Sequence, residues 1–165
     1  MFIAHLPSGY IMALKFLKRN WARSISSKWI IFVGTIGAVF PDTDMLYFYF
    51  IDKGQILHHS YITHWPSFWI CLLLVNLAWG RFSPKAIPGI IFSLGGLLHV
   101  VLDSFVGDIR WLAPFSDVAF SIYEVPAIYN PWWLNFVLHW TFAVEVVVCV
   151  WAFNLFRKRV VTERS

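Results

Sequence analysis

Residues 88–106, PGIIFSLGGLLHVVLDSFV, constrain this chain more than any other stretch. They are long and apolar enough to cross a bilayer, which takes about 20 residues. Yet they carry His99 and Asp103, which a helix places on one face, one turn apart. A carboxylate near the middle of a membrane helix costs about 2.5–3.5 kcal/mol on insertion scales. Such a group faces a partner or a cavity, not lipid. The histidines and aspartates elsewhere in the chain make a divalent metal ion the natural partner.

The composition agrees with a membrane setting. Charged residues make up 13% of the chain, about half the ~25% of a soluble domain. Hydrophobic residues reach 59%, mean hydropathy is +0.64, and ten tryptophans suit anchoring at membrane interfaces. The sequence predicts an all-α fold, a polytopic membrane helical bundle. It would have four full spans plus a short or re-entrant N-terminal helix, with residues 1–165 as a single integral-membrane domain. The short segment is 1–14, and the spans are 29–51, 67–79, 88–106 and 132–156. The second of these segments is interrupted at Pro41-Asp42-Thr43-Asp44, where proline frees backbone groups in the preceding turn. Outer loops cover 52–66 and 107–131, and Ala113-Pro114-Phe115-Ser116-Asp117 reads as a fixed turn. Cys71 and Cys149 lie in apolar runs without CxxC spacing and read as packing residues. The first basic cluster follows the first apolar stretch, which argues against a cleavable signal peptide.

The net charge is +4, and its placement sets an orientation. Lys15, Lys18, Arg19, Arg23 and Lys28 form one cluster, Arg81 and Lys85 a second, and Arg157, Lys158, Arg159 and Arg164 a third. Only Lys53 and Arg110 lie in the alternate loops. The positive-inside bias puts the three clusters, and so the C-terminus, in the cytoplasm. A nucleic-acid partner is not expected, because the cations sit at the ends of apolar runs.

With that orientation the metal-type donors fall on one side. Asp42 and Asp44 lie in the outer half of one span, and His99 and Asp103 in the outer half of another. His58, His59 and His64 lie in the outer loop, and His5 near the outer end of the first segment. Histidine mixed with carboxylate suits zinc, with manganese second. Bland readings exist for each: a packing pair for His99 and Asp103, a cap and turn for Asp42 and Asp44, a solvated loop for the histidines. His58 neighbours His59, and adjacent ligands rarely both reach one ion. His139 is a further candidate in the last span. Glu145, six residues on, lies on another face and reads as a packing partner or proton carrier.

At these residues the chain resembles the bacterial LexA-binding, inner-membrane-associated hydrolases, also described as membrane-bound metal-dependent hydrolases. The matching elements are His5 followed by Gly9, Pro41-Asp42-x-Asp44, His59-x-x-x-Thr63-His64, His99-x-x-x-Asp103-Ser104 and Pro114-Phe115-Ser116-Asp117. The resemblance runs to about Phe120 and does not cover the last span. It implies an inner-membrane, metal-dependent hydrolase with His5, Asp42, Asp44, His59, His64, His99 and Asp103 as its metal site. The family usually has Arg after the first loop histidine and Ser after the second. Ser60 and Trp65 stand there instead, which removes a bidentate phosphate anchor.

The resulting expectation is hydrolysis of a lipid or lipid-linked (phospho)ester in the outer half of the membrane. Asp42, Asp44, His99 and Asp103 would carry the chemistry. A lipid phosphatase with a His99 nucleophile is an alternative, short of cations around the phosphate. A metal transporter or sensor is another, although the inner halves of the spans lack ligands apart from Glu145. No His is followed by Glu, which excludes HExxH proteases, and the aspartates argue against haem.

Overall fold

The computed structural model describes residues 3–19 and 25–164, the last three of these by backbone alone. Arg23 and the side chain of Arg164, both counted among the basic clusters, lie outside the described set. Seven α-helices follow in order: α1 (His5–Leu17), α2 (Ser27–Gly37), α3 (Asp44–Phe50), α4 (Pro66–Gly80), α5 (Ile87–Asp103), α6 (Trp133–Val137) and α7 (Thr141–Arg164). Among the described residues the only β pairing is one isolated antiparallel bridge, Ile109 with Phe120.

Proline sets several boundaries. Pro7 lies in the first turn of α1, where its missing N–H costs nothing. Pro66 opens α4 in the same way. Pro41 is the second residue of the 3-10 turn Phe40–Thr43, which separates α2 from α3. The chain bends by 58° there.

The expectation of four full spans is overturned. Among the described residues one helix is long and apolar enough to cross a membrane, Pro84–Asp103, which is α5 with the 3-10 turn before it. There are two at most, if the bent pair Ser27–Gly37 and Phe40–Phe50 counts as one span. Apolar runs overcount spans because composition does not mark where helices end. α4 has 15 residues, about 22 Å, against the ~30 Å of a hydrocarbon core. The last apolar run is broken between α6 and α7, where His139 Nδ1 and Thr141 Oγ1 are hydrogen-bonded at 2.8 Å. α7 then runs on through Arg157, Lys158 and Arg159.

α1, α2 and α5 pack together at the centre, α4 covers α5, and α7 lies on α1. Near one end Ala13, Ile30, Ile87 and Ile91 form an apolar core. Nearer the other, Trp69, Val100 and Ile109 form a second. The contacts fix directions: α1 runs antiparallel to α2 and α5, and parallel to α7. Tyr10 meets Phe156 edge-on at 6.3 Å, and Lys15 Nζ sits 5.7 Å from the Trp151 ring. A consequence is that Lys15, Lys28, Lys85 and Arg159 collect at one end and His5, Asp42 and Asp103 at the other.

The central helices approach closely because their seam is built from glycine. A Cβ at Gly95 would lie 2.8 Å from the Ala38 nitrogen and 2.8 Å from the Gly37 carbonyl carbon, both backbone atoms. Small residues at such seams let helix backbones approach closely and gain van der Waals contact. The segment after α5 folds back on its end. Ile122 N–H donates to Ser104 O at 2.8 Å, and Trp111 Nε1–H donates to Ser104 Oγ at 2.9 Å. The 113–117 stretch is a turn, with Phe115 and Ser116 N–H both donating to Leu112 O.

Candidate metal centre

α5 presents His99 and Asp103 toward α1 and the 3-10 turn, with His99 Nε2 2.8 Å from Asp103 Oδ2. The other His99 nitrogen is spoken for. α2 ends just before Pro41, which leaves the Ala38 carbonyl without a helical partner. His99 Nδ1–H donates to that oxygen at 2.8 Å. A carbonyl only accepts, so the proton is on Nδ1 and the Nε2 lone pair faces inward.

His64 is fixed by the same logic. It ends the 3-10 turn Ile62–His64 and is fully buried. Its Nδ1–H donates to Asp44 Oδ2 at 2.6 Å, and Thr63 Oγ1 donates to the same oxygen at 2.5 Å. Asp44 Oδ1 is buried with no hydrogen-bond partner. With both Nδ1 atoms committed, the two Nε2 atoms face each other at 3.2 Å. Asp103 Oδ2 stands 3.6 Å from His64 Nε2. Asp42 Oδ1 stands 3.6 Å from His99 Nε2 and 3.8 Å from His64 Nε2. Ligand bonds of about 2.0–2.1 Å in a tetrahedron give ligand–ligand edges of roughly 3.3 Å. Five edges among the inner atoms, from 2.8 to 3.8 Å, bracket that value.

His5 and the loop histidines form the flanks. His5 Nε2 lies 3.0 Å from Asp103 Oδ1, and its ring stacks on His99 with centroids 3.8 Å apart. His59 Nε2 lies 3.8 Å from Asp103 Oδ2. A Cβ at Gly107 would collide with the His59 ring, so glycine there makes room for the imidazole. Three groups have donor atoms within 4.8 Å of one another: Asp42, His64 and His99; His5, His99 and Asp103; and His58, His59 and His64. Each grouping has the donor types and spacing that an ion would need. Asp44 touches His64 from behind, and His139 lies outside all three, hydrogen-bonded to Thr141.

The electrostatics divide the loop histidines. Burial opposes charge on His64, but its bonds to Asp103 and Asp44 outweigh that and hold its pKa at about 9. Burial pushes His59 down to about 2. His58 is also lowered, by burial first and then by the neighbouring His64. In the metal-free protein a proton on His64 therefore occupies the space between the carboxylates.

Sequence reasoning missed the parts that hold the donors in place. Glu145 is buried on α7, and its Oε2 accepts Ile3 N–H at 2.6 Å and Ala4 N–H at 3.1 Å. α1 has no side-chain cap of its own. A carboxylate at a helix N-terminus meets unpaired N–H groups and the positive end of the dipole. Glu145 thus anchors the turn that carries His5, more than 140 residues away in sequence. No local signal marks that role. The Ala38 carbonyl was hidden for a different reason, although Pro41 was a usable clue to it.

Compared with known proteins, residues 1–161 match the model of a family described as the YdjM inner membrane protein. No curated protein and no solved structure matches the chain.

Proposed function

The chain belongs to the YdjM inner membrane protein family, and from that premise we propose that it is a metal-dependent hydrolase of a lipid or lipid-linked (phospho)ester. Zinc is the ion the donor set favours, with manganese second. One observation carries the reading: two imidazoles with outer nitrogens already bonded turn their inner nitrogens on each other at 3.2 Å, beside two carboxylates. Nitrogen lone pairs repel in that position unless a cation or a proton lies between them. Backing of histidine by carbonyl and carboxylate is the usual support of a metal ligand.

His64, His99, Asp103 and Asp42 would hold the ion, and Asp44 and Ala38 would hold the imidazoles. A bound divalent ion supplies hydroxide near neutral pH and polarises the scissile oxygen. Asp42 is the member of the set open to a substrate, with 38% of its side chain exposed. It would orient the attacking water and take up its proton. His59, kept neutral by burial, adds no competing positive charge. The basic tail lies at the opposite end of the bundle, on the cytoplasmic side by the charge bias, and the cluster faces outward. A phosphohistidine route has less support. Arg110, one of the two outer cations, is already paired with Asp117 at 2.9 Å.

The test is elemental analysis of detergent-purified protein beside a His99→Ala/Asp103→Ala variant. The expected result is stoichiometric zinc or manganese in the parent and at least about a 100-fold weaker metal affinity in the variant. Metal-loaded parent is then screened on lipid phosphoesters and acyl esters, with chelation abolishing any turnover. Folded parent without metal, or turnover indifferent to chelation, overturns the proposal.

A further inference from the structure

Beyond α5 the chain turns back along the helix it has just left. Ile109 is fully buried against Trp69 and Val100. It also pairs with Phe120, and this antiparallel bridge makes a neck from which residues 110–119 project as a loop. Leu112 O accepts the N–H groups of Phe115 and Ser116 and closes the loop. Ser67 Oγ donates to Ala113 O at 2.5 Å and ties it to the first turn of α4. α4 runs antiparallel to α5, with Gly80 beside Ala86 and the Trp69 ring on Gly96. Gly96 lies about 10 Å before Asp103 along α5, and Ser67 is two residues nearer that end than Trp69. The tie therefore stands about 7 Å short of the end of α5, not beyond it. Around it Phe115 is 93% exposed, Val118 71% and Leu112 64%. The only charged side chains of the loop, Arg110 and Asp117, pair with each other at 2.9 Å. Trp111 Nε1–H donates to Ser104 Oγ, and Ser116 Oγ accepts Val118 N–H. The polar side chains are thus engaged, and the apolar ones stand open.

We propose that this loop is a wedge that enters the membrane leaflet at the Asp103 end of α5, with Leu112, Phe115 and Val118 among the lipid chains. Its level selects the occupant. Pro84–Asp103 is long and apolar enough to cross a membrane, and its 20 residues span about 30 Å, the thickness of the hydrocarbon core. Asp103 then marks the boundary of that core, and a loop tied about 7 Å short of it lies within the leaflet. That depth agrees with the about 5–10 Å by which interfacial segments sink. Charge excludes other attractions. Residues 107–131 hold Asp108, Asp117 and Glu124 against the single cation Arg110, so neither nucleic acid nor an anionic headgroup would draw the segment in. Insertion rests on apolar area instead. The family is one of inner membrane proteins, so the leaflet is at hand. The wedge would hold the end of α5, and with it Asp103, at headgroup level. It does so whether or not the cluster binds an ion, and the proposal goes beyond the hydrolase reading.

The experiment uses the full chain with Cys71→Ser and Cys149→Ser, in phosphatidylcholine nanodiscs that leave both faces open to solvent. An NBD fluorophore is attached at Phe115→Cys or, for comparison, at Glu124→Cys, an exposed acidic position of the same segment. Nitroxide-labelled lipids quench from within the leaflet, and iodide quenches from water. The label at Phe115→Cys should emit at shorter wavelength, be quenched by lipid nitroxide and ignore iodide, with a depth of about 5–10 Å. The label at Glu124→Cys should show the reverse. Adding Leu112→Asp and Val118→Asp should lift the Phe115→Cys label into water. All three loop positions are exposed, so the core is untouched, and metal content should be the same across the series. Iodide quenching at Phe115→Cys equal to that at Glu124→Cys overturns the proposal. So does a Phe115→Cys label shielded from both quenchers, which would put a protein partner or a second copy of the chain on the loop. Lipid quenching that survives the two added aspartates overturns it as well.

Discussion

The start of α1 and its flank toward α7 are neighbours built on opposite terms. At the start, His5 enters a cluster in which buried imidazoles and carboxylates are held by bonds to other side chains and to backbone. Along the flank runs a groove between α2 and α7, whose mostly apolar walls are interrupted only by Tyr10 and Thr35 among the described residues, and Lys28 and Arg159 stand at the mouth. In the cluster, charge is concentrated and desolvated, so each group depends on its neighbours. In the groove, charge stays at the rim and the interior makes no such demands. Substitutions at the two places should therefore behave differently, additive at the rim and coupled in the cluster.

The sharpest break in that comparison is Asp44→Asn. Asn keeps the size of the residue but removes the charge behind His64 Nδ1. Metal affinity should fall about 10–100-fold, as for other groups that orient a metal-bound histidine. Competition with a chromogenic chelator measures it, and an affinity within twofold of the parent would deny Asp44 its orienting role.

The pH dependence of the metal-free protein comes next. His64 is raised to about 9, above its unfolded value of about 6.5. Its contribution is complete below pH 6.5 and is lost as pH rises through about 9. His59 is depressed to about 2, so its contribution is present above pH 6.5 and declines as pH falls below that. Stability of stripped protein should peak near neutrality, with slopes of at most about 1.4 kcal/mol per pH unit for each group. Thermal unfolding across pH 5–9 tests this, and a monotonic rise across the range would contradict the proton held at His64.

The smallest effect is at Glu145. Glu145→Gln keeps an acceptor for Ile3 and Ala4 N–H but loses the charge at the helix N-terminus, a cost of about 1 kcal/mol. Glu145→Ala strands two backbone donors and should cost about 1–3 kcal/mol more. Denaturant unfolding of the two variants side by side checks the order, and equal stabilities would remove the capping role.

The readable parts of the site were those encoded by local spacing. His99 and Asp103 share a helix face at i and i+4, and Pro41 announces a break that carries Asp42 and Asp44. The span count was not readable, because apolar composition does not state where helices stop. Pro41 and Pro66 leave short helices, and the break before Thr141 gives the last run to a helix that carries Glu145, Arg157 and Lys158. Roles that join distant segments, such as those of Glu145 and Gly107, leave no mark in the residues around them. The separation of His139 from the cluster also depends on the break between α6 and α7, which its sequence surroundings do not display.

The bonds around His99 have a temporal consequence. Its Nδ1 partner is 61 residues away, its neighbour His64 is 35 away, and the turn bearing His5 is tied to a residue 141 away. Contacts of such long reach form late, after the loops between them have closed. A nascent chain therefore exposes its histidines singly or in pairs and offers no complete nest of donors. Ion uptake would be a late event in biogenesis, and the retained ion a record that the ends of the chain have found each other.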